Sequence, residues 1–347
     1  MDEGFVPDII VAHPGWGDAL FIKDLFPNAR LLSFLEFYYR ATGADVGFEP
    51  KESITPDDLA RVRMKNVTNI LSLDMMDWGL APTVWQWSLQ PPEFRSKISV
   101  LHDGVDTDLC SPDATATFTV PNGPTFRPGD KLVTYIARNF EPYRGFHTFM
   151  HTAEIILRER PDVHIVAVGA DEVSYGRKPP PGTTYRQMYL KEVRLPKERM
   201  HFMPTVPYEA LIQLFRVSAA HIYLTYPFVL SWSMLEAMAS GVALVASDTP
   251  PVLEVVEDGK NGLLADFFGP ADVARKVGRL LDAADGNRAM REAARRTVVE
   301  HYALKDVLKL HVRLVEEIGA GLVPPPVAAD ILRINPIDGH EKARWHG

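Results

Sequence analysis

The residues best placed to do chemistry in this sequence are two arginines six positions apart, in Ala137-Arg138-Asn139-Phe140-Glu141-Pro142-Tyr143-Arg144-Gly145. On a turn between a strand and a helix, the guanidinium forks of Arg138 and Arg144 can converge on one anion, and their planar donors suit phosphate oxygens. Gly145 lets the chain turn into the helix while the first helical amides face the same charge. The alternative is a pair of solvated loop arginines with an incidental charge contact to Glu141.

A second segment, Tyr223 to Gly241, reads as a buried strand, a tight loop and a short helix. Amides near Leu230 and Ser231 would then hold another phosphate edge. Glu236 follows Ser233 by three residues, so it is either half of a capping box that reaches back to a backbone nitrogen or an acceptor for the two ribose hydroxyls of a nucleotide. The local pattern alone favours the cap. His13, in Ala12-His13-Pro14-Gly15, follows a strand; it is either a contact for a sugar hydroxyl or a turn residue before proline. Asp106-Thr107-Asp108 resembles the acidic pair that binds a divalent metal in a different transferase fold, but acidic residues at a strand end are ordinary turn formers, and no metal site is expected. The sequence contains no Cys/His cluster, no G-x-S-x-G elbow and no Walker loop.

Positioning these residues requires parallel sheets covered by helices, because short β-branched runs alternate with segments of helical period, an α/β pattern. In the first part, strands are expected at Pro7 to Ala12, Arg30 to Phe34, around Thr83 and at Ile98 to His102, with a helix from Asp57 to Asp77. Ser111 to Pro128, rich in Pro, Thr, Gly and Asn, reads as a linker. The alternation then restarts, with strands at Lys131 to Ala137, Val163 to Val168, Met200 to Phe202, Ala220 to Thr225, Val242 to Ala246 and Gly262 to Ala265. Helices are expected at Phe146 to Arg160, Tyr208 to Ser218, Ser233 to Ser240 and within Pro270 to Gly319. The reading is a first domain over 1–120, a second over 129–320 that includes the C-terminal helices, and an extended tail over 321–347 with Pro324-Pro325-Pro326. Open sheets of this kind bind ligands at the carboxyl ends of their strands, but the fold does not choose the chemistry.

Length and composition agree with two soluble α/β domains: 347 residues, 46% hydrophobic and 24% charged. A net charge of -8 argues against nucleic acid, which calls for a basic face. Cys110 is the single cysteine, so neither an internal disulfide nor a thiolate metal site is available, and a reducing cytoplasm is the expected location. No apolar stretch is long enough for a membrane span, and a peripheral position at the inner membrane is the most intimate membrane association expected. Acidic residues outnumber basic ones about two to one before Asp130, which disfavours electrostatic adhesion to anionic lipid.

Taken in order, the motifs resemble the family 4 glycosyltransferases of the GT-B fold, bacterial and retaining, across Pro7 to about Gly319. His13-Pro14 resembles the family's His-x-Pro turn, and His102-Asp103-Gly104-Val105-Asp106 the end of its acceptor domain. Leu235-Glu236-Ala237-Met238-Ala239-Ser240-Gly241 with Val245-Ala246-Ser247-Asp248 is the most specific signature. The resemblance implies two Rossmann-like domains facing across a cleft and metal-independent transfer of a sugar from a UDP- or GDP-type donor to a glycan, lipid-linked or small-molecule acceptor, an EC 2.4 activity in polysaccharide or glycoconjugate biosynthesis. It puts Arg138 and Arg144, with amides from Leu230 and Ser231, on the donor diphosphate. Glu236 would bind the ribose, while Gly169, Asp171 and Val206 would meet the base and His13 the sugar. It implies no cofactor beyond the donor substrate.

The sequence departs from that pattern twice. Phe228 stands where the family has an earlier glutamate that contacts the transferred sugar, and the chain starts at the His-x-Pro strand, so the N-terminal domain reads as shortened. An exposed sheet edge there would invite a homodimer or a partner chain. The competing readings are a non-catalytic nucleotide-sugar-binding protein or subunit of a glycosylation complex, and an epimerase, for which no convincing carboxylate pair is found.

Overall fold

The computed structural model describes residues 4–50, 53–283 and 285–325. They form two compact units, one of residues up to Gly104 together with Pro227–Val229 and the chain from Leu304, the other of Val105–Tyr226 and Leu230–Ala303.

The first unit begins with β1 (Ile9–Ala12), α1 (Ile22–Leu25), β2 (Arg30–Phe34), α2 (Pro56–Lys65), α3 (Val67–Met75), β3 (Trp78–Ala81), α4 (Val84–Leu89) and β4 (Ile98–Val100). The strands pair in parallel in the order β1-β2-β3-β4. The strand expected around Thr83 lies a few residues earlier, because Thr83 caps α4 by accepting the amide of Gln86 at 3.1 Å. The helix expected over Asp57 to Asp77 is two helices. Asn66 separates them, its side chain accepting the amide of Tyr39 at 3.0 Å and donating to the Tyr39 carbonyl at 2.7 Å. An asparagine amide that bonds backbone outside its helix competes with helical continuity.

The second unit holds β5 (Phe118–Thr119), β6 (Thr125–Phe126), β7 (Leu132–Asn139), α5 (Phe146–Glu159), β8 (His164–Ala170), α6 (Tyr185–Tyr189), β9 (Met200–Met203), α7 (Tyr208–Val217), β10 (Ala220–Tyr223), α8 (Trp232–Ala239), β11 (Ala243–Ser247), α9 (Pro250–Leu253), β12 (Leu263–Ala265), α10 (Pro270–Asp282) and α11 (Arg288–His301). Its six-stranded sheet is parallel, in the order β12-β11-β10-β7-β8-β9. The expected linker contains the antiparallel β5/β6 hairpin, whose Phe118, Val120 and Phe126 are buried against Leu132, Val166 and Leu214. Three apolar residues scattered among turn formers hide this role from composition.

The chain ends its described part in α12 (Leu304–Gly319), which belongs to the first unit rather than to the second domain as expected. Leu314 and Ile318 of α12 are buried with Leu32, Trp78 and Leu80 of β2 and β3, and His311 Nε2 lies 3.0 Å from the His102 carbonyl. The helix thus supplies cover for the sheet of the first unit. Of the expected extended tail, residues 321–325 carry no helix or strand, and 326–347 lie outside the described residues. No helix among the described residues is long and apolar enough to cross a membrane.

Two buried histidines give the fold a pH dependence. His221 on β10 is wholly buried, its Nδ1 3.0 Å from Thr134 Oγ1, and burial pushes its pKa down to about 3. Burial and the neighbouring charge of His311 lower His102 to about 4. Below the ordinary value of 6.5, the unfolded chain takes up these protons while the folded chain does not. Stability should therefore be constant above that pH and fall as pH drops from there toward 4, by about 1.4 kcal/mol per pH unit for each histidine. Urea unfolding at pH 7, 6 and 5 measures the slope, and a midpoint that holds steady over this interval would contradict it.

Candidate functional site

The order of the six-stranded sheet reverses between β7 and β10, which are neighbours. Helices leave the two strands on opposite sides there, so a crevice opens at their carboxyl ends. Arg138 is the penultimate, exposed residue of β7, and the 3₁₀ turn Pro142–Arg144 leads through Gly145 into α5. Arg144 NH1 donates to Thr225 Oγ1, just past β10, at 2.9 Å, and the Arg144 carbonyl accepts the Tyr135 hydroxyl at 2.7 Å. Thr225 is itself fixed, its amide donating to Ser247 Oγ at 3.1 Å. The guanidinium therefore stands at the crevice on a braced support, with the Tyr175 ring 5.7 Å away on another side.

Glu141 is not the incidental surface partner of the alternative reading. It is fully buried, and its Oε2 accepts the amides of Ser174 at 2.8 Å and Tyr175 at 3.0 Å. Burial raises its pKa, while those amides and the charges of Arg144 and Arg138 oppose the rise. The carboxylate clamps the loop after β8 onto the arginine turn. Sequence reasoning missed this because the two partners lie more than thirty residues away.

The loop from β10 to α8 corrects one expectation. The helix starts at Trp232, with Ser231 at its N-cap and no side-chain cap bond, so Ser233 lies inside the helix and the Ser-x-x-Glu box does not form. A capping hydroxyl must sit outside the first turn to reach the free amides. The Glu236 carboxylate instead accepts the Tyr208 hydroxyl, from the first residue of α7, at 2.8 Å. Burial raises the pKa of Glu236 and this hydrogen bond lowers it. Leu230 is buried, and the Ser231 amide, expected to face a phosphate, donates to the Tyr223 hydroxyl at 2.7 Å.

The residues expected at the base have other partners as well. A Cβ on Gly169 would lie 2.8 Å from the Phe140 ring, so the glycine serves packing inside the sheet. Asp171 forms an ion pair with Arg186, whose guanidinium lies 5.6 Å from the Phe202 ring centre. Val206 is half-buried just before α7. Asp106 of the Asp-x-Asp sequence accepts the amides of Asp108 at 3.1 Å and Leu109 at 3.0 Å, a turn, and no group of metal-ligating side chains occurs among the described residues.

In the first unit, His13 Nε2 lies 3.1 Å from Glu36 Oε2, and its ring stacks on Trp16 with centres 4.7 Å apart. Glu36, just past β2, was not foreseen; a carboxylate at the end of a neighbouring parallel strand was the available signal. Phe228 is buried with its ring centre 4.5 Å from that of Phe37. A cavity of ≈ 510 Å³ in this unit is lined by Tyr38, Tyr39, Arg63 and the apolar side chains of α2 and α3. None of the expected site residues faces it.

Comparison with known proteins follows this geometry. The family description "Glycosyl transferases group 1" matches residues 121–297, and "Glycosyl transferase family 4 group" matches residues 1–110. The D-inositol 3-phosphate glycosyltransferase of Nocardia farcinica is 27% identical over 198 residues, 56% of this chain and 42% of that protein. Spore coat protein SA of Bacillus subtilis is 24% identical over 231 residues, 62% of this chain and 58% of that protein. The chain thus spans about half the length of the curated relatives it matches. Among solved structures, Anabaena HepE in complex with UDP-glucose superposes with a TM-score of 0.66 at 15% identity, covering 89% of this chain and 79% of that one. Sucrose-phosphate synthase from Thermosynechococcus elongatus gives 0.68 at 14% identity, covering 90% and 74%.

Proposed function

Since the chain belongs to the group 1 glycosyl transferases, whose description matches just over half of it, and has the GT-B fold, we propose that it transfers a sugar from a nucleoside-diphosphate-sugar to an acceptor hydroxyl. The observation that carries this reading is the arginine turn at the point of strand reversal, where Arg144 is braced by Thr225 between the ends of β7 and β10. A fixed guanidinium there meets the charge that grows on the diphosphate as its bond to the anomeric carbon breaks, and it does so without reorganising. Arg138 adds a second, more exposed cation, so the leaving group is neutralised by side chains and no metal is assigned to it.

Glu236 is the proposed ribose acceptor, with Gly169, Asp171 and Val206 beside the base and His13, paired with Glu36, a hydroxyl-binding group. The UDP-glucose held by HepE supports a uridine donor. Transfer with retention, a cytoplasmic location and a glycan or lipid-linked acceptor belong to the same proposal. Calorimetry with UDP and GDP, followed by incubation with the corresponding labelled sugar nucleotides, tests it. Micromolar binding of one diphosphate with release or transfer of its labelled sugar is the expected outcome; binding of neither would overturn the reading.

One observation favours a second reading, nucleotide-sugar binding without catalysis. Phe228 is packed against Phe37 where a sugar-contacting carboxylate is expected. Tight binding of the sugar nucleotide with neither transfer nor hydrolysis would select that alternative.

A further inference from the structure

The expected partners of the ribose account for Glu236 but not for the side chains stacked behind it. Tyr208 approaches from a different helix and donates its hydroxyl to Glu236 Oε1 at 2.8 Å. The sulfur of Cys110 lies 3.6 Å from the same hydroxyl oxygen. Cys110 is wholly buried, and burial pushes its pKa up to about 11, so at neutral pH it is a thiol with a proton to donate. The bonds then run in one direction, from the Cys110 S–H to the Tyr208 oxygen and from the Tyr208 O–H to the carboxylate. The Tyr208 proton is committed to Glu236, since the phenol is held neutral by burial and by the adjacent carboxylate.

A carboxylate at the end of a glutamate side chain turns easily about its last bond, whose torsion is broad and roughly two-fold. A donor on Oε1 narrows that rotation, leaving Oε2 and the remaining lone pair of Oε1 for other donors. A ribose presents two vicinal hydroxyls, which need two acceptor directions in a fixed plane. We infer that Tyr208 is a positioning residue for the nucleotide ribose: its hydroxyl, backed by the Cys110 thiol, holds Glu236 in the orientation that receives the 2′- and 3′-hydroxyls together. This inference rests on the reading of Glu236 as the ribose acceptor and extends it to the side chain that donates to that carboxylate.

The arrangement has a consequence for specificity. A carboxylate held in one plane distinguishes a ribose from a 2′-deoxyribose, because loss of one hydroxyl leaves a half-buried acceptor unpaired. A carboxylate free to turn recovers part of that loss. Tyr208→Phe, which removes only the hydroxyl, should therefore weaken binding of the ribonucleotide more than binding of its deoxy form. It also removes the hydrogen bond that lowers the pKa of Glu236, so binding should fail at a higher pH than in the wild type as the solution is acidified.

The experiment is calorimetry of the full chain with UDP, GDP and ADP, continued with the tightest binder and its 2′-deoxy counterpart, for wild type, Tyr208→Phe and Glu236→Gln, with a thermal melt of each. The expected result for Tyr208→Phe is about a tenfold loss of ribonucleotide affinity, a ribose-to-deoxyribose ratio reduced several-fold and an unchanged melting temperature. If Glu236→Gln abolishes the discrimination while Tyr208→Phe keeps both the affinity and the ratio, the positioning role is overturned and the ribose reading stands. If Glu236→Gln itself leaves the ratio intact, or no diphosphate binds, the ribose reading falls and takes this inference with it.

Discussion

Arg144→Ala should lower the affinity for a nucleoside diphosphate about a hundredfold while changing affinity for the bare nucleoside less than about twofold. The size follows from the setting. A hydrogen bond to an ionised group contributes roughly 1.5–3 kcal/mol, and a guanidinium already held in place spends little conformational entropy on binding. Thr225, itself tied to Ser247, accepts the Arg144 guanidinium at 2.9 Å, and the Arg144 carbonyl accepts the Tyr135 hydroxyl. Arg138 is exposed on β7, where water and salt screen its charge, so Arg138→Ala should cost less. Arg144→Lys keeps the charge and loses the fork, and an intermediate affinity is expected. Calorimetry with diphosphate and nucleoside side by side measures all three. Equal losses for the two ligands after Arg144→Ala would place the diphosphate elsewhere.

Gly145→Ala should cost about 3 kcal/mol or more of folding stability. Gly145 has φ of 67° and ψ of 23°, a left-handed conformation that costs an L-residue roughly 1–2 kcal/mol. The added methyl would also lie 2.4 Å from Leu224 Cβ and 3.1 Å from the Phe267 ring. Leu224 and Phe267 are both buried, so neither can retreat into solvent. Gly286 provides the control, since its φ is 60° but no atom lies within 4 Å of the built methyl. Gly286→Ala should show only the backbone cost, so its urea midpoint should move much less. Similar shifts in the two variants would show that the clash at Gly145 relaxes. The larger effect at Gly145 also bears on function, because this glycine joins the Arg144 turn to α5.

Much of the second unit was legible because its signals are local. The β-branched runs that predict its strands fall within a few residues of β7 to β12, and Ala137 to Gly145 was recognisable as a strand-to-helix turn from its own residues. The local reading of Glu236 as half of a capping box was not realised. Its pattern was present, but α8 begins two residues too early for Ser233 to act as a cap. The β5/β6 hairpin was illegible for the opposite reason: Phe118, Val120 and Phe126 form a buried face only because Leu132, Val166 and Leu214 lie opposite them. Nor does the helical period of Leu304–Gly319 name the sheet that Leu314 and Ile318 cover.

By itself, then, the sequence determined the α/β class, the succession along the chain of the second unit's main strands and helices, and the strand-to-helix segments that carry Arg138, Arg144 and Glu236. Periodicity and turn chemistry act over a few residues and survive without the fold. The tertiary structure alone decided the partners: Thr225 for Arg144 across 81 positions, Tyr208 for Glu236 across 28, and Phe37 for Phe228. Hydrogen bonds and ring contacts form over a few ångströms of space, and which distant residues come that close depends on how whole elements pack.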